Sequence, residues 1–230
     1  MIPLLLGSAL SVELPIYVGV EIPARALERA LAEADRLFDA GGIRFQWQLS
    51  PGEPLSAIVP RGPTPAATDC PALRADLAAD SKGCRSAGCG LSFSAPCSAP
   101  AVIVVLGRPE RAVISGCSRN LHDHRLGHTH LAARRVTLWT EQVARAVEGS
   151  WGRKDPPRVD ESTLGTALGR VLAHELGHLF LRLDGHRENG LMKPSFSHRA
   201  LVGKSDRSFR LSEEDLERVR AAITRLQVTT

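Results

Sequence analysis

The sequence predicts an α/β fold of the α+β kind. It consists of a small mixed, twisted sheet packed on a backing helix and a histidine-bearing helix, plus a C-terminal helix. Three observations predict it. Residues 16–49 run strand, helix, strand by their hydrophobic periods. Residues 101–106 are an apolar run that fits a central strand covered on both faces. Residues 162–183 carry a dense apolar surface at helical spacing, as a long buried helix does.

Taken in order, residues 1–11 are a short apolar start closing on the small residues Ala9 and Ser11. This resembles the end of a secretory signal without its basic leader, and it favours export (secreted or periplasmic) over a cytoplasmic location. Residues 16–20 read as a strand. Leu27, Ala30, Leu31, Ala34, Leu37 and Phe38 then recur at helical spacing until Gly41-Gly42 stops them. Ile43, Phe45, Trp47 and Leu49 alternate with Arg44, Gln46 and Gln48, the period of a half-buried strand. Residues 51–100 are rich in Pro, Ser, Ala and Gly and form a surface insertion. This insertion holds Cys70, Cys84, Cys89 and Cys97. With Cys117 they are enough, in an exported protein, for two disulfides and one spare thiol.

Beyond the strand at 101–106 the sequence predicts an exposed edge at 127–132, a strand at 136–139 and a short helix at 141–147. A linker over 149–161 leads into the long helix, and an amphipathic helix over 212–226 closes the chain. At 230 residues one domain is the natural expectation. The formal net charge is only +4, from 29 basic and 25 acidic residues scattered along the chain, which argues against a nucleic-acid partner. No run of 18 apolar residues exists to span a membrane. Nothing in the pattern sets an oligomeric state.

The chemistry concentrates at His174-Glu175-Leu176-Gly177-His178. Two imidazoles four residues apart share one helix face, about 6 Å apart along the axis at ~1.5 Å per residue, so both can reach one metal ion. The glutamate between them can approach a water on that metal. This spacing is similar to the signature of zinc metallopeptidases. An apolar helix would not normally bury two histidines and a glutamate unpaired, because desolvating them costs several kcal/mol, and a metal removes that conflict. Catalytic zinc usually takes three protein ligands and leaves one open position. Asp184-Gly185 is a turn signal, glycine supplying left-handed geometry, and it brings His186 back toward the motif face. His186 is the first choice for third ligand and Asp184 the alternative.

The region resembles the metzincin clan of zinc peptidases, with Gly190-Leu191-Met192 similar to that clan's methionine turn and Met192 as its floor residue. The chain departs from the clan in spacing. Asp184 stands where the third histidine is usual, and Leu181 where the turn glycine is usual. The resemblance implies a zincin-like domain holding one catalytic Zn²⁺. It further implies an endopeptidase that hydrolyses peptide bonds in a peptide or protein substrate by a metal-activated water. In that reading zinc on His174, His178 and His186 lowers the pKa of its water from ~15.7 toward ~7, and Glu175 is the general base. It also implies an edge strand lining the cleft, placed here at 127–132. The alternative reading is a catalytically inactive, zinc-stabilised module that binds a peptide or protein on the same fold.

Weaker candidates are Glu213 or Glu214 as a ligand from the last helix, although Ser212 with Asp215 reads more simply as an N-cap. His122, His124, His128 and His130 form a cluster able to hold a structural metal or the substrate carbonyl, since no tyrosine follows Tyr17. His198 follows the methionine turn and could face the cleft. No serine elbow or cysteine-peptidase signature accompanies them.

Overall fold

The computed structural model describes residues 10–50, 103–107, 125–151, 153, 155, 157–183, 185–205 and 207–228. The leader, the insertion at 51–100, all five cysteines, His122, His124 and Asp184 lie outside the described residues.

Among the described residues five strands form one sheet: β1 (Leu10–Val18), β2 (Ile43–Ser50), β3 (Ile103–Gly107), β4 (Gly127–His130) and β5 (Arg135–Trp139). Their order is β2-β1-β3-β5-β4; the first four are parallel and β4 runs antiparallel to β5 at the edge. The helices among the described residues are α1 (Ala24–Asp39), α2 (Thr140–Glu148), α3 (Glu161–Leu181), α4 (His198–Val202) and α5 (Glu213–Val228). The architecture is therefore mixed α/β with a mixed sheet, as the hydrophobic periods require. Alternate residues Val12, Leu14 and Ile16 of β1, Val104 and Leu106 of β3, and Val136 and Leu138 of β5 enter the core. Helix α1 packs on the β2 side and α3 on β5 and β4. No helix among the described residues is long and apolar enough to cross a membrane.

Helix α3 is the organising element. Asp160 caps it by accepting from the Thr163 N–H at 2.9 Å. Gly165 and Gly169, four residues apart, let α1 come close. A Cβ on Gly165 would stand 2.6 Å from the Ala26 carbonyl oxygen, and one on Gly169 would run into the Ala30 carbonyl. One pair of charges is sealed in this seam. Arg170 and Glu33 are each 2% exposed and meet at 3.0 Å. Arg36 also bonds Glu33, and the Arg170 guanidinium donates to the Ala200 and Leu201 carbonyls at the end of α4. Burial pushes the Glu33 carboxyl up, but its two arginines outweigh that and hold its pKa below the ordinary value.

Three details differ from the sequence reading. Strand β1 begins at Leu10, not residue 16, and contains Pro15, a residue that argues against a central strand. It is tolerated because Pro15 precedes the three residues, Ile16 to Val18, that pair with β3. Second, the left-handed residue that ends α3 is Arg182, with φ 51°, while Gly185 is not in that region. The cap N–H bonds the His178 carbonyl, so the helix terminates without glycine. Third, the polar stretch after Met192 contains α4, capped by Ser197, and a 3₁₀ turn at Arg207–Phe209 that buries Phe209.

Candidate metal centre

His174 and His178 sit one turn apart near the end of α3, and both are oriented by the segment that follows the helix. The Nδ1 of His174 lies 2.7 Å from the Leu191 carbonyl oxygen, and the Nδ1 of His178 lies 2.7 Å from that of Leu183. A carbonyl only accepts, so each Nδ1 carries the hydrogen and each Nε2 presents a lone pair. Those lone pairs converge. The two Nε2 atoms are 3.1 Å apart, and the Nε2 of His186 is 3.3 Å from that of His178. The His174 and His186 rings stack at 12° with centroids 5.3 Å apart, while His178 stands edge-on to both.

With both Nδ1 hydrogens committed, the His174 and His178 Nε2 lone pairs repel, and burial disfavours a relieving proton on His174. Burial, helped by the nearby histidines, pushes His174 down to about 4, and burial likewise lowers His186. A cation relieves them. Ligand nitrogens at ~2.0–2.1 Å around a tetrahedral ion lie about 3.3 Å from one another, close to the spacing of His178 from each of the other two. Among the described residues His174, His178 and His186 are the grouping of three able to hold a metal, with ligand atoms all within 4.8 Å. Imidazole donors suit zinc.

Four further groups lie on or against this part of α3. Met192 is 1% exposed and lies beneath Gly177, where any Cβ would run into its sulfur. Phe196 presents its edge to His174, centroids 5.1 Å apart. Glu175 turns toward β4, where a Cβ on Gly127 would lie 3.0 Å from its Oε1. Thr129, the next residue of β4 on that face, places its Oγ1 2.7 Å from Glu175 Oε2 and 2.8 Å from the Glu175 carbonyl oxygen. Burial raises the Glu175 carboxyl to about 7, opposed by the Thr129 hydrogen bond and the Arg125 charge. Such a carboxyl exchanges a proton near neutrality.

Of the sequence-based candidates, then, His174, His178 and His186 meet in one place, while Glu175 turns toward β4 and Met192 packs under Gly177 of the same helix. The expected edge at 127–132 is an edge strand over Gly127–His130. Other candidates do not join. Glu213 and Glu214 are exposed on the first turn of α5, whose N-cap is Ser212 as expected. His198 is exposed and lines a hollow with Glu148, Arg158 and Asp160, away from the motif, because α4 turns it toward the start of α3. His128 and His130 are exposed on β4, and His130 Nδ1 accepts from the Ala133 N–H, so neither faces the three histidines. Sequence reasoning missed Thr129 and Phe196, neither of which carries a motif.

No known family model matches the chain, and no curated protein matches it either. Among solved structures, archaemetzincin from Methanopyrus kandleri is similar over 96% of this chain and 99% of that one, at 18% identity and a TM-score of 0.44.

Proposed function

We propose that the chain is a zinc-dependent endopeptidase, with His174, His178 and His186 holding one Zn²⁺, Met192 as the floor beneath them and Glu175 as the general base. A zinc ion held there supplies Lewis acidity to a substrate carbonyl and to the attacking water. The protein's own residues do the rest. Hydrogen bonds from Nδ1 to the Leu191 and Leu183 carbonyls keep two ligand rings aimed, raise their basicity and exclude the wrong tautomer. Glu175, with a pKa near neutrality, accepts the proton of the water as it attacks and returns it to the leaving amine. Thr129 holds one carboxylate oxygen, which leaves the other for the water. An extended peptide binds along β4, the edge strand of the sheet among the described residues.

The observation that carries this reading is the convergence of the Nε2 atoms with both helix Nδ1 atoms already committed. The test is zinc content and turnover together. Purified protein should bind one zinc per chain and cut a mixed peptide library, lose cleavage with a chelator and regain it with zinc. A chain that binds zinc yet cuts nothing in that library would leave the peptide-binding module as the better description.

A further inference from the structure

The charge of this chain is unevenly placed. Residues 193–210 hold five cations, Lys193, Arg199, Lys204, Arg207 and Arg210, against one carboxylate, Asp206. That excess of +4 equals the formal net charge of the whole chain, so the remainder balances. Both ends of this strip meet the candidate centre. Lys193 directly follows Met192, and the Arg210 carbonyl accepts from the Leu191 N–H at 3.1 Å, beside the carbonyl that orients His174.

Lys193 is linked to the histidines through Phe196. Its Nζ lies 5.1 Å from the Phe196 ring centroid and 5.7 Å from that of Phe209. Phe196 in turn stands 5.1 Å from the His174 ring. The ammonium is therefore within about 10 Å of that imidazole, roughly three extended residues at ~3.3–3.6 Å each. Lys193 is half-buried and makes no ion pair among the described residues. An ammonium held on ring faces has given up part of its hydration, no carboxylate among the described residues pairs with it, and a substrate carboxylate supplies the missing counter-charge.

We propose that Lys193 makes this centre selective for peptides bearing a carboxylate within about three residues of the bond presented to it, the basic strip 193–210 attracting such chains. The carboxylate belongs either to an Asp or Glu side chain or to a free C-terminus. This rests on the metallopeptidase reading, and its test separates the two.

Zinc-loaded protein is given paired peptides that differ only in Glu or Gln near the cut bond, each with a free or an amidated end. The member bearing the recognised carboxylate, Glu over Gln or the free over the amidated end, should be favoured about tenfold in kcat/KM, mainly through KM, and less so as salt rises. Lys193→Met should bring the ratio close to one, Lys193→Arg should keep it, and Lys193→Glu should turn it toward a matched Lys peptide. The same labelled peptides are titrated by fluorescence anisotropy against zinc-loaded Glu175→Gln protein, which reads preference without turnover. Absence of cleavage with retained Glu preference in binding would remove the peptidase reading and leave the assignment of Lys193 standing. Equal handling of Glu and Gln together with equal handling of free and amidated ends in both assays, or a preference unmoved by Lys193→Met, overturns the proposal. A preference for Glu over Gln that survives amidation assigns the side chain; a preference for the free over the amidated end, with Glu and Gln alike, assigns the C-terminus.

Discussion

Arg170 and His174 occupy the same face of α3, one turn apart, and both are buried, at 2% and 7% exposure. What surrounds them differs in kind. Arg170 finds every partner inside the protein: the Glu33 carboxylate, two carbonyls of α4, and the face of Phe209 at 4.9 Å. His174 finds a partner for one nitrogen only, and its other nitrogen points at a second lone pair 3.1 Å away. Burying a polar group is tolerable when its valences are filled, so the first turn is complete as folded and the second is complete only with a ligand. One helix thus carries a structural charge and a functional donor set side by side, told apart by satisfaction and not by burial.

The sharpest way to break this contrast is to change the functional turn and watch stability. Glu175→Gln should lower kcat by ~10²–10⁴-fold, the usual size of a general acid–base contribution. Zinc content should stay at its original level, and the urea midpoint should not fall. Glutamine can still accept from Thr129, and it removes a carboxyl whose burial already raises its pKa to about 7. Steady-state kinetics, metal analysis and urea unfolding read these separately. A variant that still cleaves, or that loses its zinc, would take Glu175 out of its role.

The opposite result is expected at the structural turn. Glu33→Gln strands the Arg170 guanidinium and should cost about 3–5 kcal/mol, the range for removing one partner of a buried pair. The pH dependence has a definite sign. The folded pKa of Glu33 lies below its ordinary value of 4.5, so its contribution is complete above that pH. It is lost as acid carries the solution down through the folded pKa. Stability of the parent protein should therefore fall more steeply below pH ~4.5 than that of the variant, measured by urea unfolding at successive pH values. Parallel curves would mean that Glu33 does not stabilise the fold through its charge.

Much of this was legible in the chain and some was not, for physical reasons. Short-range periodicity marks α1, β2, β5, α3 and α5, since each repeats its own apolar spacing. The shared face of His174 and His178 follows from four-residue spacing alone. Contacts between distant segments leave no such mark. Glu33 and Arg170 are 137 positions apart, and nothing near either one signals a buried pair. Thr129 approaches Glu175 only because β4 folds onto α3, and the glycine at position 127 that permits it is a local hint without a local meaning. Arg182 closes α3 in a conformation that sequence rules assign to glycine, so the turn was expected at Gly185 and lies three residues earlier. Short elements such as α4, held by one cap and one buried leucine, have too few repeats to read.

The smallest effect concerns the exposed ligand. His186 is not packed into place as His174 is, so its position depends on how its own segment is tied down. Two ties are visible. The Arg187 N–H donates to the Met192 carbonyl at 2.7 Å, and the Arg187 guanidinium reaches the buried Asp215 carboxylate, also at 2.7 Å. Asp215 lies in the first turn of α5 with its own N–H bonded to Ser212, so it is a fixed point. The sequence alone suggests nothing for Asp215 beyond favouring a helix N-terminus. Its contact makes it the anchor of the third ligand's neighbour. Asp215→Asn keeps the shape and removes the charge. It should weaken zinc binding about 10–100-fold, the usual cost of losing a partner outside the ligand set. Unfolding of the zinc-free protein should move much less, because Arg187 is 40% exposed and water can take up its guanidinium. Chelator competition measures the first and urea unfolding the second. Unchanged zinc affinity with a lowered urea midpoint would mean that the pair serves α5 alone, leaving the backbone bond at Met192 to hold His186 in place.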